Sequence, residues 1–70
     1  MTNYLVIYER GEDGHWGAHS PDVEGVFALG VTREEVEHRM AEALAAQLVL
    51  LRERGEPLPL PRTSAGHIPA

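Results

Sequence analysis

The stretch from Thr32 to Gly55 limits what this chain can become. Thr32 is a good helix N-cap, and Glu35 stands three residues later, where its carboxylate can reach back to the cap's own amide. Glu34 and Glu35 place negative charge on the positive end of the helix dipole. Neither proline nor glycine interrupts the chain from Glu34 to Arg54. Val36, Met40, Ala43, Leu44, Leu48 and Leu51 recur at spacings of three and four, which puts them on one stripe. Arg52 and Arg54 suit the last turn, Gly55 suits a left-handed stop, and Pro57 bars continuation. A helix from Arg33 to Arg54 would be roughly 33 Å long. Everything else in a small chain must pack along it.

From Leu44 to Leu51 the apolar residues run nearly all the way round the helix. Ala45 and Val49 point away from the stripe, at 100° per residue. A helix apolar on every side is usually covered on more than one. Ala45 and Val49 are therefore the expected self-association contacts.

Upstream, Asn3 to Arg10 alternates β-branched and aromatic residues as a strand does, with Tyr4, Val6 and Tyr8 facing one way and Leu5 and Ile7 the other. Gly11-Glu12-Asp13-Gly14 is a turn signal, and His15 to His19 is a second strand folding back on the first. Ser20 to Gly25 is a bend, because Pro21 restricts Ser20 to extended geometry. Val26 to Leu29 is a third strand, closed by Gly30. After the helix, Glu56 to Pro61 alternates proline and leucine and reads as an extended edge segment or polyproline coil. Arg62 to Ala70 reads as a flexible tail. The predicted architecture is α+β: a three-stranded antiparallel sheet, one long helix on one face, and an extended C-terminal segment. The expected division is a domain over residues 1–61 and a tail over 62–70. One helix covers one face, so the apolar residues on the other face call for the tail, a second copy or another protein.

At 70 residues the chain buries only about 60% of the surface its unfolded form exposes. It has no cysteine, so neither a disulfide nor a cysteine metal site can add stability. The start of the sequence shows no signal-peptide pattern, and no run is long and apolar enough to span a membrane, so a cytoplasmic location is expected. The net charge of −5 argues against non-specific nucleic-acid binding and suits a basic protein partner. His15 and His19 would lie roughly 13 Å apart on a regular strand, too far to share a zinc ion, and His38 and His67 lie elsewhere. No serine has a base at a catalytic spacing, and no glycine cluster opens a helix with a lysine. No enzyme activity, cofactor or metal is expected. The acidic turn and bend, Glu12, Asp13, Asp22 and Glu24, with Trp16 as an apolar anchor, are the expected partner-binding residues.

These pieces resemble a known family. Tyr4-Leu5-Val6-Ile7, the turn ending Asp13-Gly14, then Trp16-Gly17-Ala18 and Ser20-Pro21-Asp22-Val23-Glu24-Gly25 are similar to the N-terminal domain of HicB-family antitoxins. Gly30-Val31-Thr32-Arg33-Glu34-Glu35-Val36 resembles that family's helix start, and Gly55-Glu56-Pro57-Leu58-Pro59-Leu60-Pro61 its ending. The resemblance covers residues 4 to 61. It implies a strand-strand-strand-helix-strand fold related to a pared-down ribonuclease H fold. It also implies a partner, a small basic HicA-type toxin that cuts messenger RNA and that the antitoxin covers. Many members add a C-terminal DNA-binding domain; Arg62 to Ala70 shows no helix pattern of that kind. The resemblance and the residues together predict a non-enzymatic, self-associating antitoxin-type domain, most simply a homodimer. The rival readings are an orphan oligomerisation module and a small enzyme or nucleotide binder with a site at the dimer seam.

Overall fold

In the computed structural model three strands precede one helix: β1 (Ile7–Arg10), β2 (Trp16–His19), β3 (Phe27–Gly30) and α1 (Arg33–Glu53). Residues 3–70 are described, so the Met1-Thr2 start of the expected domain lies outside them. The strands form one antiparallel sheet in the order β1-β2-β3, and the fold is α+β as the sequence predicts.

The register decides which residues meet the helix. Tyr8, Ala18 and Ala28 form one cross-strand row, and Arg10, Trp16 and Gly30 form the next. Ala18 and Ala28 are buried, and so are Val36 and Met40 of α1. Two alanines on the sheet leave room for the helix to come close, and Val36 and Met40 fill it. The rows on the other side of the pleat are Ile7-His19-Phe27 and Glu9-Gly17-Leu29. Val23 and Val26 complete the core at 1% and 4% exposure. Val23 comes from the bend, whose proline, acids and glycine make it look like a surface loop in the sequence.

β1 is shorter than the expected Asn3–Arg10. A strand needs a partner, and β2 ends at His19, where Ser20-Pro21 turns the chain away. Residues 3–6 have no ladder, but Tyr4 and Val6 still pack against the core. Buried Ser20 donates its hydroxyl to the Leu5 carbonyl (2.9 Å) and so ties down this segment. β2 begins at Trp16 rather than His15, because the His15 backbone is engaged in the turn.

Both helix ends follow their sequence signals, with one change. Thr32 Oγ1 accepts from the Glu35 amide (3.1 Å), but Glu35 Oε1 accepts from the Val31 amide (3.1 Å) rather than from that of Thr32. The loop from β3 is so short that Gly30 lies under the first turn. A Cβ there would fall 2.5 Å from Glu35 Oε1 and 2.9 Å from Val36 Cγ2. At the other end Gly55 adopts φ +71°. Its amide donates to the Arg52 carbonyl and that of Glu56 to the Leu51 carbonyl, closing the last turn with a paired C-terminal cap.

The stripe is not buried along its length. Val36 and Met40 are enclosed; Ala43 and Leu44 pack partly on the core; Leu48 and Leu51 are only partly buried, so the expected packing of the whole stripe on the sheet holds only for its first half. Lengths explain this. α1 has 21 residues, roughly 31 Å, whereas each strand has four, about 13 Å. The helix overhangs the sheet. Its outer face also changes character: ion pairs Arg33–Glu37 and Arg39–Glu35 and a His38–Glu42 contact decorate the first half, and Ala43 to Leu51 carries no charge. Met40→Ala is expected to cost about 2–5 kcal/mol, and Leu44→Ala less than about 2 kcal/mol because its side chain already meets solvent. Urea unfolding of the two variants checks this; equal losses would mean that the second half is enclosed as tightly as the first.

Candidate interaction surface

At one end of the sheet the turn 11–14 links β1 to β2. Gly14 takes φ +86° and donates its amide to the Gly11 carbonyl (3.0 Å). Asp13 is exposed and folds back on this loop: Oδ1 accepts from the His15 amide (3.0 Å) and Oδ2 pairs with His15 Nδ1 (2.8 Å). The His15 backbone amide, then the imidazole, hold the Asp13 carboxyl below its ordinary value. Glu12 beside it is exposed. Trp16 faces the helix side and packs partly on the core, beneath the Arg33 guanidinium, which stands 4.6 Å from the Tyr8 ring centre and 5.9 Å from that of Trp16.

Asp22 and Glu24 belong to the opposite end of β2. Glu24 is exposed, but Asp22 holds the C-terminal segment. Its Oδ2 accepts from the amides of Arg62 (3.1 Å) and Thr63 (3.0 Å), and Oδ1 from the Thr63 hydroxyl (2.6 Å). The Thr63 hydroxyl and then the two amides lower the Asp22 carboxyl from its ordinary value. Tyr4 donates its hydroxyl to the Pro59 carbonyl (2.7 Å). The segment thus runs as a strap beside the helix overhang and encloses a groove of about 630 Å³ lined by Asp22, Val23, Gln47, Leu51, Pro57 and Pro59.

The strap therefore does not cap the far face of the sheet. Leu58 and Leu60 are 40% and 70% exposed because Tyr4, which anchors the strap, belongs to the core side. The far face stays open. Phe27 and Leu29 stand on it at 68% and 67% exposure, and Val31 follows at 63%. Gly17, between them and β1, presents no side chain, so a shallow hollow of about 490 Å³ lies there with Glu9 and Asp13 at its rim. The expected partner residues are thus two groups, Glu12, Asp13 and Trp16 at one end and Asp22 and Glu24 at the other, and Ala45 and Val49 lie exposed on α1. The sequence shows Phe27 and Leu29 opposed to Val26 and Ala28 and so an apolar second face, but Phe27, Leu29 and Val31 were not among the expected contact residues.

No family model matches the chain. A curated relative does: a UPF0150 protein, Ta0767, of Thermoplasma acidophilum is 32% identical over 56 residues, which are 80% of this chain and 81% of the relative. None of the described helices is long and apolar enough to cross a membrane.

The strap depends on an ionised Asp22. A carboxyl held below its ordinary value in the folded chain contributes stability above the unfolded value, and that contribution fades as pH falls through the folded value. Acidification through the carboxylate range is expected to loosen the strap, as is Asp22→Ala at neutral pH. Hydrogen exchange reads both: the amides of Arg62 and Thr63 should speed up and those of Val36 and Met40 should not. Unchanged exchange at Arg62 and Thr63 in Asp22→Ala would contradict the latch.

Proposed function

The chain belongs to the UPF0150 family, and on that premise we propose that it is a HicB-like antitoxin domain that binds and covers a small basic, mRNA-cleaving toxin of the HicA type. The observation that carries this reading is the open sheet face, with Phe27 and Leu29 two-thirds exposed and the Glu9 and Asp13 carboxylates at the rim of its hollow. Large apolar side chains standing this far out in a small chain supply binding free energy once a partner dries them. The carboxylates supply direction. With a net charge of −5, Glu9, Glu12, Asp13 and Glu24 attract a basic partner before contact, which raises the association rate more than the final affinity.

The mechanism is occlusion rather than chemistry. A ribonuclease needs its substrate in its groove, and a protein seated across that groove excludes RNA while neutralising the positive charge that draws it. The domain acts in the cytoplasm, where messenger RNA is translated, and works as a non-enzymatic homo-oligomer. The resemblance of residues 4 to 61 to HicB antitoxins and the UPF0150 relative support the same reading.

The test is an RNA-cleavage assay with a purified small basic ribonuclease of the HicA type. Equimolar addition of the chain is expected to stop cleavage. Glu9→Lys with Asp13→Lys should slow association, and more so at low salt. Cleavage that continues in the presence of excess chain, with no co-elution of the two proteins, would leave the orphan self-associating module as the better reading.

A further inference from the structure

The two edges of the sheet are not alike. β1 carries Glu9 and Arg10, the kind of charge that keeps an edge strand from pairing with another chain. β3 carries none. From Gly25 to Thr32 there is neither a charged residue nor a proline, and Phe27, Leu29 and Val31 stand well into solvent along it.

The backbone of β3 is equally open to pairing. Ser20 donates its amide to the Val26 carbonyl (3.4 Å). By the alternation of an antiparallel ladder, Val26, Ala28 and Gly30 turn their backbone groups to β2, and Phe27, Leu29 and Val31 turn theirs outward. Two contacts agree with this: the Leu29 carbonyl accepts from Arg39 Nη1 (2.5 Å), and the Val31 amide donates to Glu35 Oε1 (3.1 Å). Arg39 and Glu35 also pair with each other (3.3 Å), with about half of each side chain in water. These two side chains stand in for a missing strand at one end of the edge, and the amides of Phe27 and Leu29 point to where that strand would lie.

We infer that β3 is a self-association seam, at which two copies pair antiparallel about Leu29 and join their sheets into one. Leu29 then lies beside its own copy and Phe27 beside Val31 of the second molecule, so each of the three exposed side chains gains an apolar cross-strand neighbour on the same face. Arg39 and Glu35 swing aside as backbone groups replace them. Charge selects a copy of this chain over other occupants. A molecule of charge −5 repels its own copy wherever carboxylates face each other, and Gly25 to Thr32 presents none. A basic partner is drawn instead to the acidic turn and bend, whereas the Glu35 carboxylate at this edge is already paired with Arg39. The apolar stretch Ala43 to Leu51 of α1 is also uncharged, but Val49 and Leu50 are less exposed, at 51% and 38%, and a helix face offers no open backbone groups. The seam leaves the open face free and makes it continuous across both copies. It does not rest on the antitoxin reading, because it concerns the purified chain alone.

A strand-to-strand seam falls below the roughly 800 Å² per partner of a standard interface, so the dimer is expected to dissociate on dilution through the micromolar range. Sedimentation equilibrium tests this with four proteins. The wild type should dimerise, Leu29→Glu should associate at least about tenfold more weakly, Val49→Glu should match the wild type, and Arg39→Ala should associate more tightly because the competitor for the Leu29 carbonyl is gone. Hydrogen exchange on the unmutated chain adds a reading that does not depend on any variant folding: the amides of Phe27 and Leu29 should slow as concentration rises. A wild type that stays monomeric at several hundred micromolar overturns the seam, as does a dimer dispersed by Val49→Glu but not by Leu29→Glu.

Discussion

The fold depends on how closely the first half of α1 can approach the sheet. Ala18 and Ala28 lower the floor, Val36 and Met40 fill the space above it, and Gly30 removes the one Cβ that would meet Glu35 and Val36 at the corner. The cap interactions of Thr32 and Glu35 fix where the helix begins, so the register of Val36 and Met40 over the two alanines is set by the loop as well as by the stripe. Among the described residues nothing else offers a comparable core. A chain of 70 residues with no disulfide has little stability to spare, and among the described residues the apolar burial concentrates in six side chains.

Two consequences follow from so small a core. The helix continues past the sheet, and its second half leans on the bend and the strap rather than on strands. The sheet, three strands wide, has one face under α1 and one face in solvent. Both consequences leave apolar surface outside the core, which is why association with other molecules belongs to this fold's physics rather than being an addition to it. The strap covers part of the overhang through Asp22 and Tyr4, while the open face and the β3 edge keep theirs.

Much of this was legible in the residues. The helix limits came from Thr32, Gly55 and Pro57, and the strand positions from alternation and turn signals, because these are local rules. The inadequacy of one helix to cover two apolar faces was legible too. Three things were not. The stripe from Val36 to Leu51 looks uniform in sequence, but the burial of Leu48 and Leu51 depends on how far the sheet reaches, which is a matter of strand length. Val23 looked like a loop residue, since nothing local shows that a bend folds beneath a helix. Asp22 read as a free acidic contact, but its partners Arg62 and Thr63 lie 40 and 41 residues away. In each case the missing information was tertiary: which segment lies beside which.

Native-state hydrogen exchange along α1 at low protein concentration tests the central claim most directly. If the first half is the seat of the fold, the amides following Val36 through Leu44 should exchange only through global unfolding, and those beyond Gln47 should exchange by local opening at a much lower free energy. Uniform protection from Met40 to Glu53 in the dilute monomer would contradict the account, because it would mean that the overhanging half is held as firmly as the half seated on Ala18 and Ala28.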